Sequence, residues 1–249
     1  MERFQDKTVL VTGGTSGIGL AAAKAFVKEG ARVVVTGRDE AALENARAAL
    51  GSNAIAVRND AGAPGAAREL AAAIADRGLK LDAAFLNAGA AKFAGLADVT
   101  EAFWDDTFNT NVKGVFFQIQ AIAPLLAQGA SIVINGSINA HIGMPNTAVY
   151  AASKAAVISL AKTLSAELLP SGARVNVVSP GPVHTPLYGK LGLDAATLEA
   201  TAAQIQAQIP LGRFGTPEEL ASTVLHLSAP ESAFIVGTEV IVDGGMSQL

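Results

Sequence analysis

The sequence predicts an α/β protein in which one doubly wound parallel sheet of about seven strands carries helices on both faces. Three observations predict it. Short Val/Ile/Leu-rich runs alternate with Ala-rich helical runs along the whole chain, the pattern of strand–helix units laid on a parallel sheet. The strand runs are continuously apolar rather than alternating, as strands buried on both sides are. A glycine-rich turn, Thr12-Gly13-Gly14-Thr15-Ser16-Gly17-Ile18-Gly19, joins the first strand run to the first helical run.

The elements follow in order. A strand over 8–12 leads to a helix over 17–29. A strand over 32–36, containing Val33-Val34-Val35, leads to a helix over 39–50. A strand over 54–58 leads to a helix over 64–76, and further strands cover 82–86, 131–135, 174–178 and 239–242. Between Lys113 and Lys154 there is no Asp, Glu, Lys or Arg. Pro124, Gly129, Asn135, Gly136 and Pro145 interrupt that stretch, so it never reaches the ~18 unbroken apolar residues of a spanning helix. It is expected to hold a buried helix, a central strand and a site loop in series, and its apolar helix also suits a subunit interface. The segment 186–216, rich in Ala, Gln and Leu, is a helical insertion following Pro180-Gly181-Pro182-Val183-His184-Thr185-Pro186. It is expected to form a lid over a substrate site, with Gly189, Gly192 and Gly215 as candidate hinges, all within a single domain over 1–249.

Composition narrows the function classes. The chain has 249 residues, 50% of them hydrophobic, enough for one large core. Its net charge of −4 and pI near 5.4 come without a basic tract, which argues against nucleic acid as a partner. There are no cysteines, so disulfides, thiol catalysis and zinc–thiolate sites are excluded. The N-terminus is charged and lacks a signal-peptide apolar region. A cytoplasmic protein without a membrane span is expected.

Tyr150 lies four residues before Lys154, and Ser137 thirteen residues before Tyr150. At a spacing of i to i+4 the phenol and the ammonium share one helix face. A phenol is a poor acid or base near neutrality, with a reference pKa of about 10, and a nearby ammonium lowers that value by stabilising the phenolate. Ser137 closes the run Ser131-Ile132-Val133-Ile134-Asn135-Gly136-Ser137. Its hydroxyl is thereby placed at a strand's C-terminal end, where ligands bind in open α/β sheets. Taken singly, a tyrosine on an apolar helix is usually a packing residue and a serine after a strand is usually a cap. The combination and spacing make the functional reading the better one.

The glycine turn suits a pyrophosphate. Glycines let an anion approach the backbone at a helix N-terminus, where free N–H groups and the helix dipole favour it. Its spacing is Gly13-x-x-x-Gly17-x-Gly19. Arg38 follows the second strand, where an arginine accommodates a 2′-phosphate and an acid would hold a ribose hydroxyl. Asp39 is assigned instead to capping the next helix. NADP(H) is therefore expected, with NAD as the alternative. Asp60 follows the third strand and could meet the adenine amino group, with a helix cap as the alternative. Asn87-Ala88-Gly89 follows the fourth, where small residues let the chain pass close to the adenosine.

Together these residues resemble the short-chain dehydrogenase/reductase family over nearly the whole chain, from the glycine turn to Val242-Asp243-Gly244-Gly245. The motifs that carry the likeness are Tyr150-Ala151-Ala152-Ser153-Lys154 with Ser137 upstream, Asn87-Ala88-Gly89 and Pro180-Gly181. A narrower likeness is to bacterial NADPH-dependent alcohol dehydrogenases that act on bulky ketones. The resemblance implies a Rossmann-type fold and a homotetramer with interface helices before the fifth and sixth strands. It implies that Ser137 holds the substrate oxygen and that Tyr150 is the acid/base. Lys154 holds the nicotinamide ribose and depresses the tyrosine pKa. Asn111 takes a fourth catalytic position, supporting a water-linked proton path from Lys154. Val183 and Thr185 match carboxamide-contacting positions. The sequence departs from the common pattern at Gly136, at Ile138-Asn139, and at Thr15-Ser16, which lacks the basic residue that often assists a 2′-phosphate.

The expected reaction is hydride transfer between NADP(H) and a carbonyl or secondary alcohol, with no metal. Ile138, Asn139, Met144, Leu187 and Tyr188 would line a mostly apolar pocket, hence a small-molecule hydrophobic ketone or alcohol as substrate. The competing expectations are a 3-oxoacyl thioester reductase and a non-catalytic nicotinamide-dinucleotide sensor. His141 and His184 have no recognisable serine–histidine–acid or metal spacing, which disfavours a hydrolase. Trp104 is assigned to packing.

Overall fold

A computed structural model describes residues 3–186 and 194–249. Among these, seven strands form one parallel sheet: β1 (Thr8–Val11), β2 (Arg32–Gly37), β3 (Ala54–Arg58), β4 (Leu81–Leu86), β5 (Leu126–Asn135), β6 (Arg174–Pro180) and β7 (Glu239–Val242). Their order is β3-β2-β1-β4-β5-β6-β7, with every neighbouring pair parallel. The order reverses between β1 and β4, so the segments leaving those two strands diverge and open a crevice at their C-terminal ends. That is where ligands bind in such sheets.

Helices cover both faces: α1 (Gly17–Lys28), α2 (Glu40–Leu50), α3 (Ala66–Ala75), α4 (Glu101–Phe108), α5 (Gly114–Ile122), α6 (Ala148–Leu168), α7 (Ala195–Ala207) and α8 (Pro217–Ser228). Because successive strand residues point to opposite faces, the apolar runs feed two cores. Val9, Val11, Val33, Val35, Phe85 and Val133 pack with α1 and α8. Leu10, Val34, Ala84, Leu86, Ile132 and Ile134 pack with α3, α5 and α6. At ~25 cal/mol per Å² of apolar surface, burial on this scale is the main force holding the fold.

The structure departs from the sequence expectation at two places. β5 begins at Leu126, five residues before the predicted start, because Leu126 pairs with Leu81 before the register shifts to Ala83–Ser131. Gly129, at φ 79°, lies within the extra segment. Between α4 and α5 the chain makes a π turn over Asn109–Lys113, a feature that recurs at functional sites and has no local sequence signal. The charge-free stretch resolves as expected into α5, the central strand β5 and the loop leading to α6. The 186–216 segment contains α7; Leu187, Tyr188, Gly189 and Gly192 lie outside the described residues.

Candidate active site

The crevice between β1 and β4 holds a cavity of about 470 Å³. Gly13, Thr15, Ser16, Gly17, Ile18, Arg38, Asp60, Asn87, Ala88, Gly89 and Thr185 all line it. Gly13 adopts φ 63°, and a Cβ there would lie 3.0 Å from Ala88 Cα. A Cβ on Gly19 would run into the Gly13 carbonyl. Gly19 does not line the cavity; it packs the helix start against the turn. The turn therefore presents backbone rather than side chains. α1 has no acidic residue in its first turn, and among the described residues Ser16 makes no side-chain cap. The N–H groups there are left to an anion.

Polar contacts lock the cleft floor. Thr12 Oγ1 accepts from the Asn87 and Ala88 N–H groups, both at 3.0 Å. Asn87 Nδ2 donates to the carbonyls of Thr12 and Gly13, both at 3.1 Å. Asn135 Nδ2 donates to Asn87 Oδ1 at 3.0 Å, and the Asn135 carbonyl accepts from Lys154 Nζ at 2.8 Å. A continuous path thus runs from the glycine turn to Lys154. Asn135 Oδ1 is buried without a partner among the described residues, and Asn135 lines neither cavity of the cleft. The glycine cradle and the open helix N-terminus together fit a nicotinamide dinucleotide. The sequence did not single out Thr12 or Asn135 as site residues; the available signal was an amide at the end of an otherwise apolar strand.

Arg38 is exposed at the cavity rim, its carbonyl accepting from Arg58 Nε at 3.2 Å. Asp39 caps α2, its Oδ1 accepting from Ala42 N at 2.7 Å, which is the role the sequence assigned to it. Val183 lines neither cavity of the cleft. Its side chain is buried in the core and its backbone bridges Gly215, so only main-chain contacts to a carboxamide remain to it. Gly215 is held by two backbone hydrogen bonds at 3.0 Å, to Pro182 and His184, rather than standing as a free hinge.

The proton-handling groups converge beside the cleft. Tyr150 and Lys154 sit on α6, one turn apart, with Lys154 Nζ 5.6 Å from the phenol ring centroid. Ser137 Oγ accepts from Asn139 N and donates to Asn139 Oδ1, each at 3.2 Å, and its hydroxyl lies close enough to Tyr150 to act on the phenol. Burial pushes the Tyr150 phenol up from its ordinary value, with the Ser137 hydrogen bond acting against it. The sequence predicts the opposite direction, through Lys154. The reason for the difference is that the ammonium bonds the Asn135 carbonyl rather than the phenol, so desolvation dominates. Lys154, 5% exposed, is lowered to about 8 by burial.

Asn111 is brought to the site by the π turn, but its side chain is already engaged. Oδ1 accepts from Ala90 N at 2.8 Å, and Nδ2 donates to Ala90 O at 2.9 Å and to Ser153 Oγ at 3.0 Å. Both amide hydrogens are occupied, so in this arrangement the side chain clamps the segment after β4 and has no donor left for a water path. Gly89 allows the approach: a Cβ there would meet Asn111 Oδ1 at 3.3 Å and Lys154 Nζ at 3.7 Å.

A second cavity, of about 750 Å³, adjoins the first through Ala91 and Lys92. Ser137, Tyr150, Pro180 and Gly181 line it with Ile138, Asn139 and Met144. Sequence reasoning missed Phe93, Phe103, Ile205 and Met246, which arrive from a loop, α4, α7 and the C-terminal segment. Phe93 stacks edge-on against Tyr150, with centroids 5.6 Å apart. Trp104 is half-exposed and stacks flat on Phe108 at 4.6 Å.

A doubly wound sheet with a dinucleotide cleft opening onto a phenol–serine pair defines the class of nicotinamide-dependent oxidoreductases. A family model described as enoyl-(acyl carrier protein) reductase matches residues 13–247. Oxidoreductase asL5 of Sarocladium schorii is 40% identical over 258 residues, spanning 100% of this chain and 99% of that protein. A solved structure described as a short chain dehydrogenase/reductase family protein is 40% identical, with TM-score 0.86 and 100% of both chains covered. A short chain dehydrogenase from Burkholderia cenocepacia J2315, solved in complex with NADP, is 34% identical with TM-score 0.87, covering 98% of this chain and 99% of that one. The chain belongs to the short-chain dehydrogenase/reductase family. Among the described residues no helix is long and apolar enough to cross a membrane.

Proposed function

We propose that this protein is an NADP(H)-dependent enzyme interconverting a hydrophobic ketone and its secondary alcohol. The observation that carries the proposal is the second cavity, which Ser137 and Tyr150 line together with Phe93, Phe103, Ile138, Met144, Ile205 and Met246. A carbonyl oxygen held by the two hydroxyls would leave its substituents against apolar and aromatic side chains.

When bound, the cofactor supplies the hydride. The chain's residues handle the oxygen. Tyr150 is the general acid in reduction. A phenol raised by burial keeps its proton until the substrate oxygen becomes basic enough to take it, and such positioned transfer contributes ~10²–10⁴-fold. Ser137 turns its hydroxyl from Asn139 Oδ1 to the developing alkoxide and stabilises it by hydrogen bonding. Lys154 holds the nicotinamide ribose, and its charge stabilises the phenolate after transfer. Asn111 acts by position, fixing Gly89 and Ala90 beside that ammonium. Arg38 meets the 2′-phosphate, a choice supported by Asp39 being engaged as a cap and by the NADP-bound relative. Residues 186–216, contributing Thr201 and Ile205 to the cavity, serve as the substrate lid.

A thioester-linked substrate is the second reading, because the matching family model carries an acyl-carrier description. A homotetramer is supported by the apolar hollow between Phe108, Val112, Phe116 and Leu160, flanked by exposed Phe117, and a cytoplasmic location by the cysteine-free composition. The deciding experiment follows NADPH oxidation across aryl and alkyl ketones, diketones, sugars and 3-oxoacyl thioesters. Highest kcat/KM with a bulky apolar ketone supports the proposal. Highest kcat/KM with a thioester replaces it, and tight NADPH binding with no turnover anywhere favours the sensor.

A further inference from the structure

His141, Ser179 and Glu239 meet beside the catalytic loop, and none of them has a part in the reaction described above. His141 Nε2 lies 2.8 Å from Glu239 Oε1, and Ser179 Oγ donates to the same oxygen at 2.5 Å. The Glu239 side chain is 15% exposed. A serine, a histidine and an acid suggest hydrolysis, but here the carboxylate stands between the other two. The imidazole is not the serine's partner and cannot take its proton, as a nucleophilic triad requires.

What the carboxylate does instead is join two walls of the substrate cavity. Ser137 starts a 3₁₀ turn that ends at His141, with Ala140 N donating to Ser137 O at 3.1 Å and His141 N to Ile138 O at 2.8 Å. At its other end Gly136 N donates to Val178 O on β6 at 2.8 Å, and a Cβ on Gly136 would collide with Ser179 Oγ. Ser179 in turn precedes Pro180, Gly181 and Pro182, another part of the cavity lining. One oxygen on β7 therefore restrains the far end of the Ser137 turn and the residue from which the Pro180 segment departs.

We propose that Glu239, acting through His141 and Ser179, is a positioning residue that sets where the Ser137 hydroxyl stands relative to Tyr150. The inference rests on the assignment of Ser137 made under Proposed function. Both contacts share a carboxylate acceptor, which strengthens them when that acceptor is ionised. Without them the turn keeps its backbone bonds but loses its lateral anchor, and a displacement of about 1 Å at a reacting group costs up to ~10²-fold in rate.

The test compares Glu239→Ala, Glu239→Gln, Ser137→Ala and the double variant Ser137→Ala/Glu239→Ala, with the best ketone from the substrate screen. Glu239→Ala should lose kcat on the order of tenfold or more while its Kd for NADPH stays within about twofold. Glu239→Gln, which keeps an oxygen acceptor, should recover most of that loss. The double variant should be no slower than Ser137→Ala, because no hydroxyl remains to be positioned. Wild-type kcat in Glu239→Ala, or losses that multiply in the double variant, overturns the proposal. If Ser137→Ala itself keeps full turnover, the assignment of Ser137 fails and this inference falls with it. Should Glu239→Ala not fold, His141→Ala carries the same expectation, with recovery in His141→Gln, and an unchanged kcat in His141→Ala overturns it.

Discussion

Replacing Lys154 by methionine should stabilise the cofactor-free protein while removing its activity. The amine is buried, and burial lowers its pKa from the ordinary 10.5 to about 8. A drop of about 2.5 pH units corresponds to ~3 kcal/mol of penalty on the charged form. Methionine fills a similar volume without that penalty but leaves the Asn135 carbonyl unpaired, which costs about 1 kcal/mol. The net expectation is a gain of ~2 kcal/mol at pH 7. The sign with pH follows from linkage. Between about 8 and 10.5 the unfolded state binds a proton that the folded wild type does not, so wild-type stability rises through that window. The advantage of Lys154→Met should therefore be full below pH 8 and shrink toward pH 10.5. Urea titrations at 25 °C on both proteins at pH 7 and pH 10 measure it. A less stable variant at pH 7, or an advantage that does not change with pH, refutes the burial argument. Turnover should fall and NADPH affinity weaken in the same variant, since the ammonium is assigned to ribose binding.

Further outcomes follow from other contacts. Arg38→Ala should reduce kcat/KM for NADPH by roughly tenfold to a hundredfold, the value of a hydrogen bond to a charged group, and leave NADH nearly unchanged; equal losses with both cofactors would contradict the 2′-phosphate assignment. Asn111→Ala leaves the Ala90 N–H and carbonyl unpaired and should cost about 2–4 kcal/mol of stability by urea titration, with weaker NADPH binding. Gly19→Ala drives a methyl into the Gly13 carbonyl and should destabilise by about 1–3 kcal/mol and raise the Kd for NADPH in a fluorescence titration.

The parts of the molecule legible in the sequence are those governed by local rules. The seven strands are continuous apolar runs, and the glycine turn is a contiguous motif. Tyr150 and Lys154 are bound to one face by helix geometry. Asp39 could be assigned as a cap because it directly precedes a helical run. Long-range contacts were not legible. Ser179 and Glu239 are 60 residues apart and meet through the register of β6 on β7, while His141 and Glu239 are 98 apart and meet only because the turn after β5 lies against β7. Phe93, Phe103, Ile205 and Met246 reach the substrate cavity from separate elements. The phenol of Tyr150 is raised rather than lowered because its environment is set by burial, which spacing alone does not report. The early start of β5 depends on a bulge opposite Leu81 and Ala83, a tertiary event with only Gly129 as a local hint.

The central claim is that the Tyr150 phenol is the proton donor in a nicotinamide-dependent reduction. Tyr150→Phe removes one oxygen and keeps the ring that packs edge-on against Phe93. Single-turnover oxidation of bound NADPH by the best ketone should slow by ~10²–10⁴-fold in that variant, with the Kd for NADPH unchanged. A rate close to wild type would show that another group delivers the proton and that the Ser137, Tyr150 and Lys154 assignment is wrong.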